Sequence, residues 1–441
     1  MRRFVISSFP TVRSGQGMAL AFQMLALMLS LILMLTACAQ PPTAPSEPKD
    51  EEVQDTQPPV DSPEPEQPEP PSSEEQDQPS QEELEAAAKE AQLKHDIEHY
   101  NYMLGTQAFN PNYQFTDESP LMEIAGRIDE WGSNMIKFYA TNDTMIDEVL
   151  NEYDFKYVFM WYRSDPYFKD GYSEAEAQAD YDAFYAYTKK LLTQYNDSGI
   201  EFYLGHWEGD WYYLDNYNTA QKDVSDVVTE GMIAWINNRQ KAVDDAKRDT
   251  PHENVYVWNY IEVNRPSDAL NDDYDRVVNR VLPYTNVDYV SYSAYDTMDA
   301  SAEQVARVID LIYDHLPEKE GVPGPRVFVG EIGQPAANQG FSPTRHGIVN
   351  MKNMAKYLRC EVKFVLYWQM YCNEKLEDGS SRGFWLINHE NEPQPLYYSL
   401  QEVLWDAEEY VEEFAEEYGR VPTNEEYRAY LLSHPEFEQY N

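Results

Sequence analysis

The sequence predicts a (β/α)₈ barrel, and three observations carry that expectation. Eight short runs rich in aromatic and β-branched residues alternate with stretches of helical spacing between Tyr100 and Trp405. The alternation fills about 300 residues, the length of such a barrel with modest insertions. The glycine-rich first turn of an open doubly wound sheet is missing.

Taken in order, Tyr100 to Phe109 is the first expected strand, and Leu121, Ile124, Ile128 and Trp131 mark the face of the helix after it. Asn134 to Ala140 is the second strand, Thr144 to Asn151 a short helix, and Phe155 to Tyr162 the third strand. Ser173 and Glu176 form a capping-box pattern that opens a long helix to Asn196. Glu201 to Trp207 is strand four, and Val224 to Arg248 is helical. Strand five is Asn254 to Ile261, a helix from Ser267 to Val281 follows, and strand six is Val287 to Tyr295. Ala300 to His315 is helical, Arg326 to Glu331 is strand seven, Thr344 to Leu358 is helical, and Val362 to Gln369 is strand eight. Leu396 to Glu417 closes the series as a helix.

The barrel therefore occupies 96–410, and other segments flank it. Residues 1–38 read as an export signal, with Arg2 and Arg3 ahead of an apolar run from Met18 to Leu35. Leu35, Thr36, Ala37 and Cys38 resemble the lipobox of bacterial lipoproteins, so Cys38 is the expected lipid-bearing residue. An uncleaved anchor is the alternative, and either reading puts the remainder outside the cytoplasmic membrane. Residues 39–95 read as a disordered acidic linker: between Ala39 and Ser80 lie twelve prolines and twelve acidic residues against one lysine. Glu82 to Gln92 is a possible short helix at its end. Residues 411–441 read as a helical extension, where Thr423 and Glu426 repeat the capping-box pattern.

The formal net charge is −45, and much of it sits in the linker and after Gln401. The acidic remainder argues against nucleic acid and polyanionic partners and suits a neutral ligand. Cys360 and Cys372 flank strand eight, roughly 25 Å apart along it, too far for a disulfide. No His/Cys cluster has metal-ligand spacing and no phosphate-binding glycine motif occurs, so neither metal nor cofactor is expected. A monomer is the expected state.

A barrel of this kind builds its site at the C-terminal strand ends. Strand seven ends in VGEIG with Glu331, and strand four runs into GHWEGDW with Glu208. Phe202, Leu204, His206 and Glu208 share one parity, as do Val327, Val329 and Glu331, which predicts that both carboxylates face the barrel mouth. Two converging carboxylates suit cleavage of a glycosidic bond. Trp161, Trp211, Tyr212, Tyr213 and Trp368 fall near strand ends as candidate sugar platforms. Glu262, in YIEVN after strand five, is a rival acid that reads better as a capping or salt-bridged loop residue, and Asp210 as a loop cap.

These residues resemble the clan A retaining glycoside hydrolases, which carry glutamates at the ends of strands four and seven. VGEIG is similar to the clan's nucleophile motif, Trp368 in VLYWQMY to its platform tryptophan, and GFWLINHENEPQPLYYSL (383–400) to its closing segment. The resemblance implies Glu331 as nucleophile, Glu208 as general acid/base, and an oligo- or polysaccharide substrate. It also implies that Lys137 and Tyr295 contact the Glu331 carboxylate and that Trp368 contacts the sugar; by position, Trp161, Trp207 and Trp211 join the expected binding residues, and His206 is either a sugar contact or a support for Glu208. This chain departs from the clan at three places. Trp207 precedes the acid where Asn is usual, Ser293-Ala294-Tyr295 keeps only the Tyr of a His-x-Tyr pattern, and Lys137 stands for an arginine. Trp207 and Ser293 favour the alternative, a catalytically inactive barrel that binds or tethers glycans. Transglycosylation is a third reading.

Overall fold

The computed structural model describes residues 80–142, 144–271, 274–337 and 340–440. The signal segment, Cys38 and the linker up to 79 lie outside the described residues. Eight strands run β1 Leu104–Ala108, β2 Met135–Ala140, β3 Tyr157–Tyr162, β4 Glu201–Gly205, β5 Tyr256–Val263, β6 Tyr289–Ser293, β7 Val327–Ile332 and β8 Val365–Tyr367. Each pairs in parallel with the next, and β8 pairs with β1, closing the barrel.

Serines start the wrapping helices, at Ser173 as the sequence predicts and at four further places. Ser119, Ser173, Ser225, Ser301 and Ser342 each accept a hydrogen bond from a first-turn backbone N–H, and Glu176 completes the box at Ser173. The expected helix at 267–281 is the exception. There the chain makes a 3₁₀ turn at Pro266–Asn271 and a four-residue helix at Val277–Arg280. Buried Arg276 explains the break, because its guanidinium reaches the carbonyls of Thr219 and Gln221 and the Asp268 carboxylate. The N-terminal helix extends over Gln81–Glu98, and the C-terminal extension forms Asn424–Ser433 and Pro435–Glu438. No helix among the described residues is long and apolar enough to cross a membrane.

Parity in the strands decides what points inward. Phe159, Tyr203, Tyr260, Phe328, Phe364 and Leu366 pack together inside the barrel, while Val158, Phe202, Leu204, Val327 and Val329 pack against the helices. The expected parity is thus inverted: the run Phe202, Leu204 and the run Val327, Val329 face outward. Glu331 nevertheless reaches the mouth because β7 carries an irregularity. Tyr292 pairs with Val329 and Ser293 with Glu331, so Gly330 is an extra residue in the ladder. Only glycine fits there, since a Cβ on Gly330 would lie 1.9 Å from Ser291 Oγ. Glu208 lies beyond the end of β4, before the short helix Gly209–Tyr213, where strand parity no longer applies.

Candidate active site

Glu208, Glu262 and Glu331 converge at the C-terminal end of the barrel, the last two on one ammonium. Lys137, inward-facing on β2 and fully buried, places Nζ 3.1 Å from Glu262 Oε2, 3.4 Å from Glu331 Oε1 and 3.1 Å from the Gly330 carbonyl. Ser293 at the end of β6 joins the other two carboxyls. Its Oγ lies 2.6 Å from Glu208 Oε1 and 3.4 Å from Glu331 Oε2. Those two oxygens are therefore within about 6 Å of one another, a separation compatible with the close carboxyl pair of a retaining site. Tyr295 donates to Glu331 Oε2 at 3.3 Å.

Burial sets the protonation of the pair. It pushes the Glu208 carboxyl up to about 8, with Glu262 adding to the rise and Ser293 opposing it. Burial also raises Glu331, and the Lys137 ammonium pulls that carboxyl back toward the anion. Lys137 contacts Glu331 and not Glu208, so a proton shared by the pair belongs on Glu208.

A cleft of about 520 Å³ opens over these groups, lined by Trp207, Trp211, Tyr295, Trp368 and both glutamates. A neighbouring cavity of about 460 Å³ continues past Trp207 and Trp368 to Trp161, Tyr139 and Tyr212. Of the aromatic platforms expected from the sequence, Trp161, Trp211, Tyr212 and Trp368 line these cavities and Tyr213 does not; nor does His206, expected as a sugar contact. Tyr213 is fully buried and hydrogen-bonds Thr229. His206 lies behind the wall, its ring 5.0 Å from that of Trp235, away from both cavities. Burial lowers His206 to about 3, and its neutral Nε2 accepts the Glu262 N–H at 3.4 Å. Asp210 closes the rim from below, accepting the backbone N–H groups of Asn264, Arg265 and Val277.

The sequence reading missed the place of Glu262. The strand it should have followed is Tyr256–Val263, so Glu262 lies within β5 rather than in a loop, and it is fully buried. The signal was present in the alternation Trp258, Tyr260, Glu262, whose aromatic members fill the barrel interior. A larger groove of about 1030 Å³ lies between the helix Gln81–Glu98 and the helix Pro395–Tyr418, lined partly by Glu408, Glu412 and Glu416. It holds no comparable convergence of buried groups.

No family model and no curated protein matches the chain. Among solved structures it is similar to a family 39 glycoside hydrolase from Bacteroides cellulosilyticus WH2, at 12% identity and a TM-score of 0.45, covering 70% of this chain and 64% of that one. It is similar to an exo-β-1,4-mannosidase from Opitutaceae bacterium strain TAV5, at 10% identity and a TM-score of 0.47, covering 70% and 60%. A GH39 β-xylosidase from Caulobacter crescentus matches at 13% identity and a TM-score of 0.46, covering 69% and 71%. The chain spans under two thirds of the first two. These likenesses carry nothing about the site, whose reading rests on its own residues.

Proposed function

We propose that this chain is a retaining glycoside hydrolase with Glu331 as nucleophile and Glu208 as general acid/base. The observation that carries this reading is the Ser293 hydroxyl joining the two carboxyls beneath an aromatic cleft. Glu331, held as the anion by Lys137 and Tyr295, attacks the anomeric carbon as the bond to the leaving oxygen breaks. Glu208 gives its proton to that oxygen. In the second step the Glu208 carboxylate takes a proton from water, whose oxygen displaces Glu331 from the sugar.

The aromatic lining supports a carbohydrate substrate, since flat rings stack on pyranose faces. We assign the segment up to Cys38 to lipoprotein export, with the lipid on Cys38 and the barrel acting outside the cytoplasmic membrane. Labelled palmitate should enter the wild-type chain and not Cys38→Ala; equal labelling of both would overturn that assignment.

The activity is tested with a panel of aryl glycosides and β-linked polysaccharides, beside a Glu331→Gly variant with and without azide. Hydrolysis by wild type, its loss in the variant and the appearance of a glycosyl azide of inverted configuration are expected. Glycan binding without turnover, indifferent to Glu331, would favour the inactive binding barrel. Transfer to an added acceptor sugar in place of water would mark a transglycosylase.

A further inference from the structure

Glu262 makes contacts that neither the nucleophile nor the acid makes. Its Oε1 accepts the backbone N–H of Glu208 at 3.0 Å, and its Oε2 accepts Ser291 Oγ at 2.7 Å and Lys137 Nζ at 3.1 Å. Each of these donors comes from a different place: the β4 rim, β6 and β2. The side chain is fully buried, sits inward on β5, and lies beneath the cleft instead of lining it. A buried carboxylate with three donors is well satisfied as an anion.

We propose that Glu262 is a positioning residue. It clamps the Glu208 backbone at the rim and steers Lys137 onto Glu331, so that the proton of the pair rests on Glu208. This rests on the glycosidase reading for its purpose, and on geometry alone for its existence.

Three carboxyls crowd a dry space around one ammonium that touches only two of them, so three anions cannot be held together there. Glu262 takes the shorter contact with Lys137, and Glu331 the second at 3.4 Å. Glu208 touches no cation and faces the negative Glu262, so it is the member that keeps a proton. The other ionisable group in contact with the pair is Tyr295 on the loop after β6. At the rim of the cleft stand Arg265, Asp296, Glu374 and Arg382, and Arg265 and Arg382 are paired with Asp268 and Glu374. His206 faces Glu262 from behind as a neutral ring.

The test reads the proton itself. Infrared difference spectra of the chain carrying ¹³C-carboxyl glutamate, followed from acid to alkaline pH, report each protonated side chain by its carbonyl band. Wild type should show a band that titrates near 8 and is absent from Glu208→Gln. In Glu262→Gln the same band should titrate lower by about one pH unit or more, because a neighbouring negative charge is gone. Glu262→Asp keeps the charge but withdraws it by one methylene, and should give a smaller shift in the same direction. It decides the matter should the Gln variant fail to fold.

An unmoved midpoint in either folded variant would overturn the proposal. So would a band that persists in Glu208→Gln and vanishes in Glu262→Gln. On a hydrolysed substrate, Glu262→Gln should lower kcat with KM little changed and move the upper limb of the pH profile down by the same interval. A uniform loss at every pH would instead mark a purely structural residue. If no glycan is hydrolysed by wild type, the infrared titration still decides the role of Glu262, and only the proposed activity falls.

Discussion

At the N-terminal end of the barrel interior, one carboxylate meets one ammonium: Glu201 lies 3.0 Å from Lys363. The Trp258 indole and the Tyr203 hydroxyl also donate to Glu201, and Lys363 reaches the Tyr289 hydroxyl at 3.2 Å. At the C-terminal end, Glu262 and Glu331 share Lys137, while Glu208 meets Glu262 through its backbone N–H and has no cation of its own. The floor is balanced and sealed by aromatic rings, whereas the mouth carries an excess of buried carboxyl. A buried charge without a full partner destabilises the fold, so the same side-chain types serve stability at one end and reactivity at the other.

The contrast can be broken most severely at the nucleophile. Glu331→Gln should lower kcat by about 10⁴-fold or more. It should leave the melting temperature level or raise it, because one surplus buried carboxyl is removed. A drop of several degrees in calorimetry would show that Glu331 serves the fold. Next, Glu208→Gln should lower kcat/KM by about 10² to 10⁴-fold on poor leaving groups and far less on dinitrophenyl glycosides, which need no proton. Wild-type activity should fall as pH rises through about 8, where Glu208 loses its proton, and that limb should vanish in the variant. Equal losses on both leaving groups would remove Glu208 from the acid role.

At the floor the pattern should reverse. Lys363→Met strands the Glu201 carboxylate and should destabilise the chain by roughly 2 kcal/mol in denaturant titration, the pair being partly exposed. Its pH profile should match wild type; a displaced profile would mean that the two ends are coupled. The last effect is a slope. Because the folded carboxyl of Glu208 is raised, wild type holds a proton that the unfolded chain has released, and stability declines as pH rises from about 4.5 to about 8. Glu208→Gln lacks that decline, so its stability relative to wild type should grow across the window. A constant difference would show that Glu208 is ionised throughout.

Much of the barrel could be read because each strand advertises itself locally. Runs such as YVFMWY and VFVGEI read as short buried strands, and the capping box at Ser173 marks where one long helix begins. The site was legible only in outline. Glu331 and Glu208 stood out as carboxylates at strand ends, but the parity argument for them was inverted. Val327 and Val329 face the helices, and Glu331 faces inward through the extra residue at Gly330. The expected strand five stops at Ile261 and the observed one at Val263, so Glu262 is an interior strand position and not a loop residue. Ser293 entered the reading as a departure from a pattern, whereas its hydroxyl is what joins the two carboxyls.

The alternation of strands and helices and the residue types at the strand ends are local properties of the chain. Those follow from burial, propensity and capping, which act over a few neighbouring residues. Which carboxyl meets Lys137, which meets Ser293, and that His206 turns away from the cleft are settled by long-range packing. Such choices depend on strand register across the closed barrel, where one extra residue in β7 changes which side chain enters the interior. They also depend on summed charge in a dry space, to which β2, β4, β5, β6 and β7 all contribute.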